Sequence, residues 1–121
     1  MRIAVLALLG FVAGCATTQT STGPATGPNA GLQQAYKACQ TSYDNHIITT
    51  RAERARCLND AETRFAAEFP DRQFLSQQQG LRLALAKRVD SRQITQAQAD
   101  AAYAKEMTRL KAASDRRLAA G

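Results

Sequence analysis

The chain is expected to fold as an all-α domain of two helical hairpins, about four helices in total. Three features point there. Apolar residues recur at steps of three and four from Leu32 onward. Capping signals interrupt that period at Thr50 and Thr95. Alanine, glutamine and arginine are abundant, whereas β-branched residues thin out after the first third.

The first helix carries Leu32, Tyr36, Cys39, Tyr43 and Ile47 on one stripe and is expected to end near Ile47-Ile48-Thr49. Thr50-Arg51-Ala52-Glu53 has the form of a capping box, a hydroxyl with a glutamate three residues on. It opens a second helix expected to reach Phe69. The stripe there is Leu58, Ala61, Phe65 and Phe69, with Cys57 at its edge, and Pro70 ends the run.

A third helix is expected between Asp71 and Asp90, burying Phe74, Leu81, Leu85 and Val89. Gly80 inside it costs about 1 kcal/mol relative to alanine. Ser76-x-x-Gln79 offers an alternative start. Thr95-Gln96-Ala97-Gln98 repeats the capping-box form, with Ile94 placed as a hydrophobic staple. The fourth helix should run to about Leu118 with Ala99, Tyr103, Met107 and Leu110 inward. Lysines and arginines thicken towards its end, complementing the helix dipole. Leu85 to Leu110 resembles the short helical hairpins at the ends of many bacterial proteins, whose turn reads Asp-x-Gly-x-Ile-Thr. Here the turn is Asp90-Ser91-Arg92-Gln93-Ile94-Thr95, with arginine where glycine is usual. The resemblance implies a structural or oligomerising hairpin.

The N-terminus has another character. Met1-Arg2 is a positive start, Ile3 to Phe11 is an apolar run, and Val12-Ala13-Gly14-Cys15 follows. This is the three-part build of a secretory signal. The run is too short for a spanning helix, which needs about 20 apolar residues. Its last four residues resemble the lipobox of bacterial lipoproteins. The resemblance implies cleavage before Cys15, diacylglycerol on its thiol and an acyl chain on its freed amine. No other cofactor is expected. Ala16 follows the cysteine; in such proteins a residue other than aspartate there implies the periplasmic face of the outer membrane where the cell has two membranes, the inner membrane or the surface of a single-membrane cell being the alternatives. Two or three acyl chains make a durable anchor.

Ala16 to Gly31 is rich in threonine, glycine and proline, with Thr-Gly-Pro twice. It lacks apolar periodicity and is expected to be a flexible tether. It would stretch to at most about 50 Å and average roughly 20–25 Å as a coil. The expected divisions are thus a removed signal over 1–14, lipidated cysteine and linker over 15–31, and a helical domain over 32–119.

Assigning Cys15 to lipid leaves Cys39 and Cys57. They lie nine residues before and nine after Ile48. In an antiparallel hairpin turning there they are neighbours, and an exported compartment is oxidising. A disulfide is expected, stabilising the domain by roughly 3 kcal/mol through chain entropy. The rival readings are a redox-active pair or a metal site. The spacing is far from Cys-x-x-Cys, and no histidine cluster accompanies it.

Catalytic and metal-binding residues are not expected. His46 is the sole histidine, placed at the end of the first helix. A zinc site would have to recruit carboxylates such as Asp44 or Asp60. The chain has no nucleophile elbow, phosphate loop or Cys-His dyad. Glu53, Asp60, Glu62 and Glu68 share one helix, and most are expected to pair with arginines three or four residues away. A helical surface without a buried polar cluster offers a catalyst little preorganisation, so an enzyme is not expected.

The formal charge is +6, too dispersed for nucleic-acid binding. The basic residues form two groups: Arg51, Arg54, Arg56 and Arg64 on the second helix, and Lys105, Arg109, Lys111, Arg116 and Arg117 on the fourth. Arg51, Arg54, Lys105, Arg109, Lys111, Arg116 and Arg117 are candidate contacts for an anionic partner. The expected role is a structural or interaction module at the envelope, tethered by lipid and meeting an envelope protein or cell-wall polymer. An accessory or inhibitor of a wall-degrading enzyme is the alternative. Oligomeric state stays open.

Overall fold

A computed structural model describes residues 29–121. The expected signal segment, Cys15 and most of the tether lie outside the described residues. The rest is four helices: α1 (Ala30–Asp44), α2 (Arg51–Arg64), α3 (Arg72–Asp90) and α4 (Gln96–Ala120). A single 3-10 turn, Ala66–Glu68, separates α2 from α3. Among the described residues there is no strand. The helices pack in chain order, α1 on α2, α2 on α3 and α3 on α4, with α2 and α3 as the central pair.

The caps follow the expected chemistry. Glu53 N–H donates to Thr50 Oγ1 at 3.1 Å, and Thr50 N–H donates to Glu53 Oε2 at 3.0 Å. Thr95 and Gln98 repeat this at α4, at 3.1 and 2.9 Å. At α3 the start is Arg72, not the Ser76 alternative. Asp71 Oδ1 accepts the Gln73 and Phe74 N–H groups at 2.9 and 3.1 Å, satisfying the first turn before Ser76 is reached.

The helix ends differ from expectation. α1 begins at Ala30, so Ala30 and Gly31 are helical, and it stops at Asp44, short of Ile47. The chain turns left-handed at His46, φ 58°. The His46 N–H then reaches Tyr43 O at 3.1 Å, and the Ile47 and Ile48 N–H groups reach Ser42 O. This is a Schellman stop, which satisfies carbonyls that the helix leaves free. Ile47 is therefore 76% exposed and contributes no core stripe.

The second hairpin stops in the same way. Arg92 has φ 61°; its N–H donates to Val89 O, while the Gln93 and Ile94 N–H groups donate to Arg88 O. Asp44-Asn45-His46-Ile47-Ile48 and Asp90-Ser91-Arg92-Gln93-Ile94 thus make one turn twice, each with an Asp, a left-handed residue and an Ile at matching places.

α2 ends at Arg64, five residues before Phe69. Phe65 leaves helical geometry and lays its ring against Gly31, where an added Cβ would come within 2.6 Å of Cε1. Any Cβ there would force the Phe65 ring to move, and glycine leaves the ring its place against α1.

α2 offers the core mostly small side chains, Ala52, Ala55 and Ala61, which lets its neighbours come close. Leu32 of α1, Leu75, Leu85 and Val89 of α3, and Ala99 and Leu110 of α4 supply the buried apolar remainder. Phe65, Phe69, Phe74, Tyr103 and Met107, expected inward, are half-buried. The disulfide Cys39–Cys57 clips α1 to α2, with Cα atoms 5.8 Å apart.

Two aspartates at the ends of α3 lock it to its neighbours. Asp90, its last residue, accepts the Arg51 N–H on Oδ1 at 3.1 Å and the Ala52 N–H on Oδ2 at 2.9 Å. With Thr50 taking the Glu53 N–H, the first three amides of α2 are all satisfied. At the other end Asp71 Oδ2 accepts Arg117 of α4, from Nη2 at 2.6 Å and Nε at 3.0 Å.

Candidate functional site

A polar cluster lies where α1, α2 and α3 meet. Glu62 of α2 is wholly buried. Arg82 of α3 holds it bidentately, Nη2 to Oε1 at 2.7 Å and Nη1 to Oε2 at 3.0 Å. The Tyr36 hydroxyl of α1 donates to Oε1 at 2.7 Å. Arg82 Nη1 also donates to Asn59 Oδ1 at 2.6 Å. Asn59 and Gln79 exchange side-chain-to-backbone bonds, each at 3.1 Å, joining α2 to α3 a second time.

The electrostatics fix the charge states. Burial pushes the Glu62 carboxyl up, but the hydrogen bonds from Arg82 and Tyr36 and the Arg82 charge outweigh it and hold it below the usual glutamate value. Burial, the bond to Glu62 and its negative charge raise the Tyr36 phenol well above its ordinary value. Glu62 stays ionised and Tyr36 stays protonated. The pair is saturated by its own partners and serves packing.

This overturns two expectations. A buried polar cluster is present. Glu62 pairs with an arginine on another helix, not with one three or four residues away. Glu53 caps α2. The signal for Glu62 was its position: four residues after Leu58 and three before Phe65, on the inward stripe itself.

Beside this cluster a groove of about 250 Å³ runs between α2, α3 and α4. Ala55, Leu58, Leu85, Val89 and Ala99 give it an apolar floor, with Tyr103 alongside. Arg51 and Arg54 line it from the first turn of α2, and Gln96 and Asp100 from α4. Arg51 Nε donates to Gln96 Oε1 at 2.8 Å, and its Nη1 stands 3.8 Å from Asp90 Oδ1. Arg54 Nη2 donates to Gln40 Oε1 at 2.6 Å, and its guanidinium carbon lies 5.4 Å from the Tyr43 ring centre. Arg54 Nε is buried without a hydrogen-bond partner.

The candidate cations of α4 do not gather at this groove. Arg109 pairs with Glu106 on its own helix. Lys111 pairs with Asp115 at 3.2 Å. Arg117 belongs to the Asp71 lock. Lys105 and Arg116 are exposed and make no ion pair among the described residues, like Arg56 and Arg64 of α2. Of the basic residues singled out from sequence, Arg51 and Arg54 alone share a concave surface. Arg82, which lines it too, was not among them. His46 is exposed in the first hairpin turn, two residues beyond α1. Among the described residues no group of three histidine, cysteine or carboxylate side chains is placed to hold a metal ion, and no helix is long and apolar enough to cross a membrane.

No protein-family model, curated protein or solved structure matches the chain.

Proposed function

We propose that the chain is a lipid-anchored protein of the cell envelope, held at Cys15 on the periplasmic face of the outer membrane. Its helical domain acts there as a structural or interaction module for an envelope protein or cell-wall polymer. The supporting observation is the division among three cysteines. Cys39 and Cys57 are joined inside the domain, as an oxidising compartment favours. The third, Cys15, closes an apolar leader and precedes a Thr/Gly/Pro stretch. The chemistry of the domain supports a module over a catalyst. Its buried titratable groups are locked to one another, while its groove presents guanidinium groups that suit an anionic partner.

The test is crosslinking in intact cells with the native protein and a Cys15→Ser variant. The expected result is one specific envelope partner or wall fragment, captured from the membrane fraction by the native chain and lost or reduced when Cys15→Ser releases it. Capture of a wall hydrolase would select the accessory or inhibitor role instead. No specific product from a correctly localised chain would contradict an interaction module.

A further inference from the structure

We infer that α1 is a redox-gated strap: reduction of Cys39–Cys57 by a dithiol releases α1 from the bundle, while α2, α3 and α4 stay folded as one body. The inference stands apart from the envelope reading above and does not need the anchor.

The seat of α1 is slight without its disulfide. The helix packs on α2 and has no comparable contact with α3 or α4. Of its fifteen residues only Leu32 and Cys39 are buried, and Cys39 is itself half of the disulfide. Its ends are bare as well. Asn29 makes no side-chain cap bond, the first turn has no acid and the last turn no base. An isolated helix of about 12–15 residues is marginal in water. Besides the disulfide and Leu32, the hold consists of Tyr36 on Glu62 at 2.7 Å, Arg54 on Gln40 at 2.6 Å and over the Tyr43 ring, and Phe65 against Gly31.

The other three helices are tied to one another without α1. Asp90 of α3 takes the Arg51 and Ala52 amides of α2. Arg82 holds Glu62, and Asn59 and Gln79 bond each other's backbone. Asp71 holds Arg117 of α4. The apolar cluster of Leu85, Val89 and Ala99, with Leu81, Ile94 and Tyr103 packed on it, lies wholly in α3, α4 and the turn between them. Proteins open in cooperative units of unequal stability, and these ties set the boundary of the stable unit at α2.

Cys57 is half-buried and Cys39 is 2% exposed, so Cys57 presents the sulfur to attack. One thiolate of the dithiol attacks Cys57 Sγ, and Cys39 leaves as a thiolate and takes up a proton. The second thiolate of the reductant then displaces Cys57, which takes up the other proton, and the reductant ends as a disulfide. On release Glu62 loses the Tyr36 hydroxyl and keeps Arg82. The fifteen residues of α1 span about 22 Å as a helix and reach about 50 Å extended. Opening therefore more than doubles the reach between Asn29 and the body.

The experiment is hydrogen exchange read by mass spectrometry on the full mature chain carrying Cys15→Ser, so that Cys39 and Cys57 are its only cysteines. The chain is compared oxidised, after dithiothreitol without denaturant, and as the double variant Cys39→Ala with Cys57→Ala. The expected result is exchange of the Tyr36–Thr41 amides on the order of a hundredfold faster in the reduced chain and in the double variant, the loss of one loop-closing crosslink. The amides of α3 and α4 should change by less than about threefold. Reoxidation should restore protection in α1. Equal acceleration in all four helices, or an unfolded double variant, would overturn the inference, because the disulfide would then hold the whole bundle. Unchanged exchange in α1 would overturn it too, because packing alone would seat the helix. A disulfide that dithiothreitol cannot reduce in the folded chain would contradict the gate.

Discussion

Glu62 and Arg82 meet at 2.7 Å in the middle of the bundle, one from each central helix. A buried pair of this kind adds little net stability, because desolvation offsets most of the attraction. Breaking it is costly, since one charge is left buried alone. Glu62→Gln or Arg82→Met should each destabilise the domain by about 3–5 kcal/mol. The joint change Glu62→Leu with Arg82→Met should recover most of that loss. Urea unfolding of the four proteins checks this. Single variants within about 1 kcal/mol of the parent would show that the pair is not isolated from water as described.

Asp90 makes a second cross-helix prediction. Its carboxylate takes two amides of α2 while it closes α3. Asp90→Ala should cost about 1–2 kcal/mol, the range of a lost N-cap. Hydrogen exchange should accelerate selectively at the Arg51 and Ala52 amides, because Thr50 still caps Glu53. Uniform acceleration along α2 would contradict this division of the caps.

Asp71 links stability to pH. The Ser114 hydroxyl leads in lowering its pKa; burial opposes, while the Phe74 N–H and Arg117 add to the lowering, giving about 2 against an ordinary 3.8. The unfolded chain therefore binds the proton more readily than the folded one. The stabilisation is fully present above the ordinary value and is lost as pH falls through the folded value. The melting temperature should drop between about pH 4 and pH 2. Asp71→Asn should flatten part of that slope. Glu53, lowered by its cap bonds, Glu62, lowered by Arg82 and Tyr36, and Glu106, lowered by Arg109, should keep the remainder. An unchanged acid slope in Asp71→Asn would count against the Asp71–Arg117 lock.

Arg92 holds a left-handed turn that glycine holds without strain. Arg92→Gly should raise stability by about 0.5–1 kcal/mol. Gly80 is the opposite case: it lies inside α3, where an added Cβ would meet nothing within 4 Å. Gly80→Ala should raise stability by a similar amount, about 0.5–1 kcal/mol. Thermal melts of both variants check this. A lower melting point for Arg92→Gly would mean that its side chain carries the turn.

These cases show what was legible before the structure. The starts of α2 and α4 were clear, because a hydroxyl followed by Glu53 or Gln98 three residues on is a local chemical device. The disulfide was clear because hairpin register is local too. Helix stops were less regular: that of α3 falls at Asp90 as expected, whereas α1 stops early at a left-handed His46 without glycine, so the usual mark is missing. The early end of α2 depends on Phe65 meeting Gly31 across the bundle. Glu62 was misjudged for the same reason. Its partner stands on another helix, and a charge on an apolar stripe looks like a solvated one until the facing residue is known. The groove shares this limit: Arg51 and Arg54 stood out by charge, but the helices that wall them in did not.

The tether is most directly tested by peptide mass mapping of the protein from membranes, without reduction. The chain has no lysine or arginine between Cys15 and Lys37, so trypsin should release Cys15–Lys37 as the mature N-terminal peptide. The expected mass is that peptide plus diacylglycerol and an N-acyl chain. In the same digest Cys39 should be bonded to Cys57. An N-terminal peptide that retains residues before Cys15, or begins at Cys15 without lipid, would contradict the anchor.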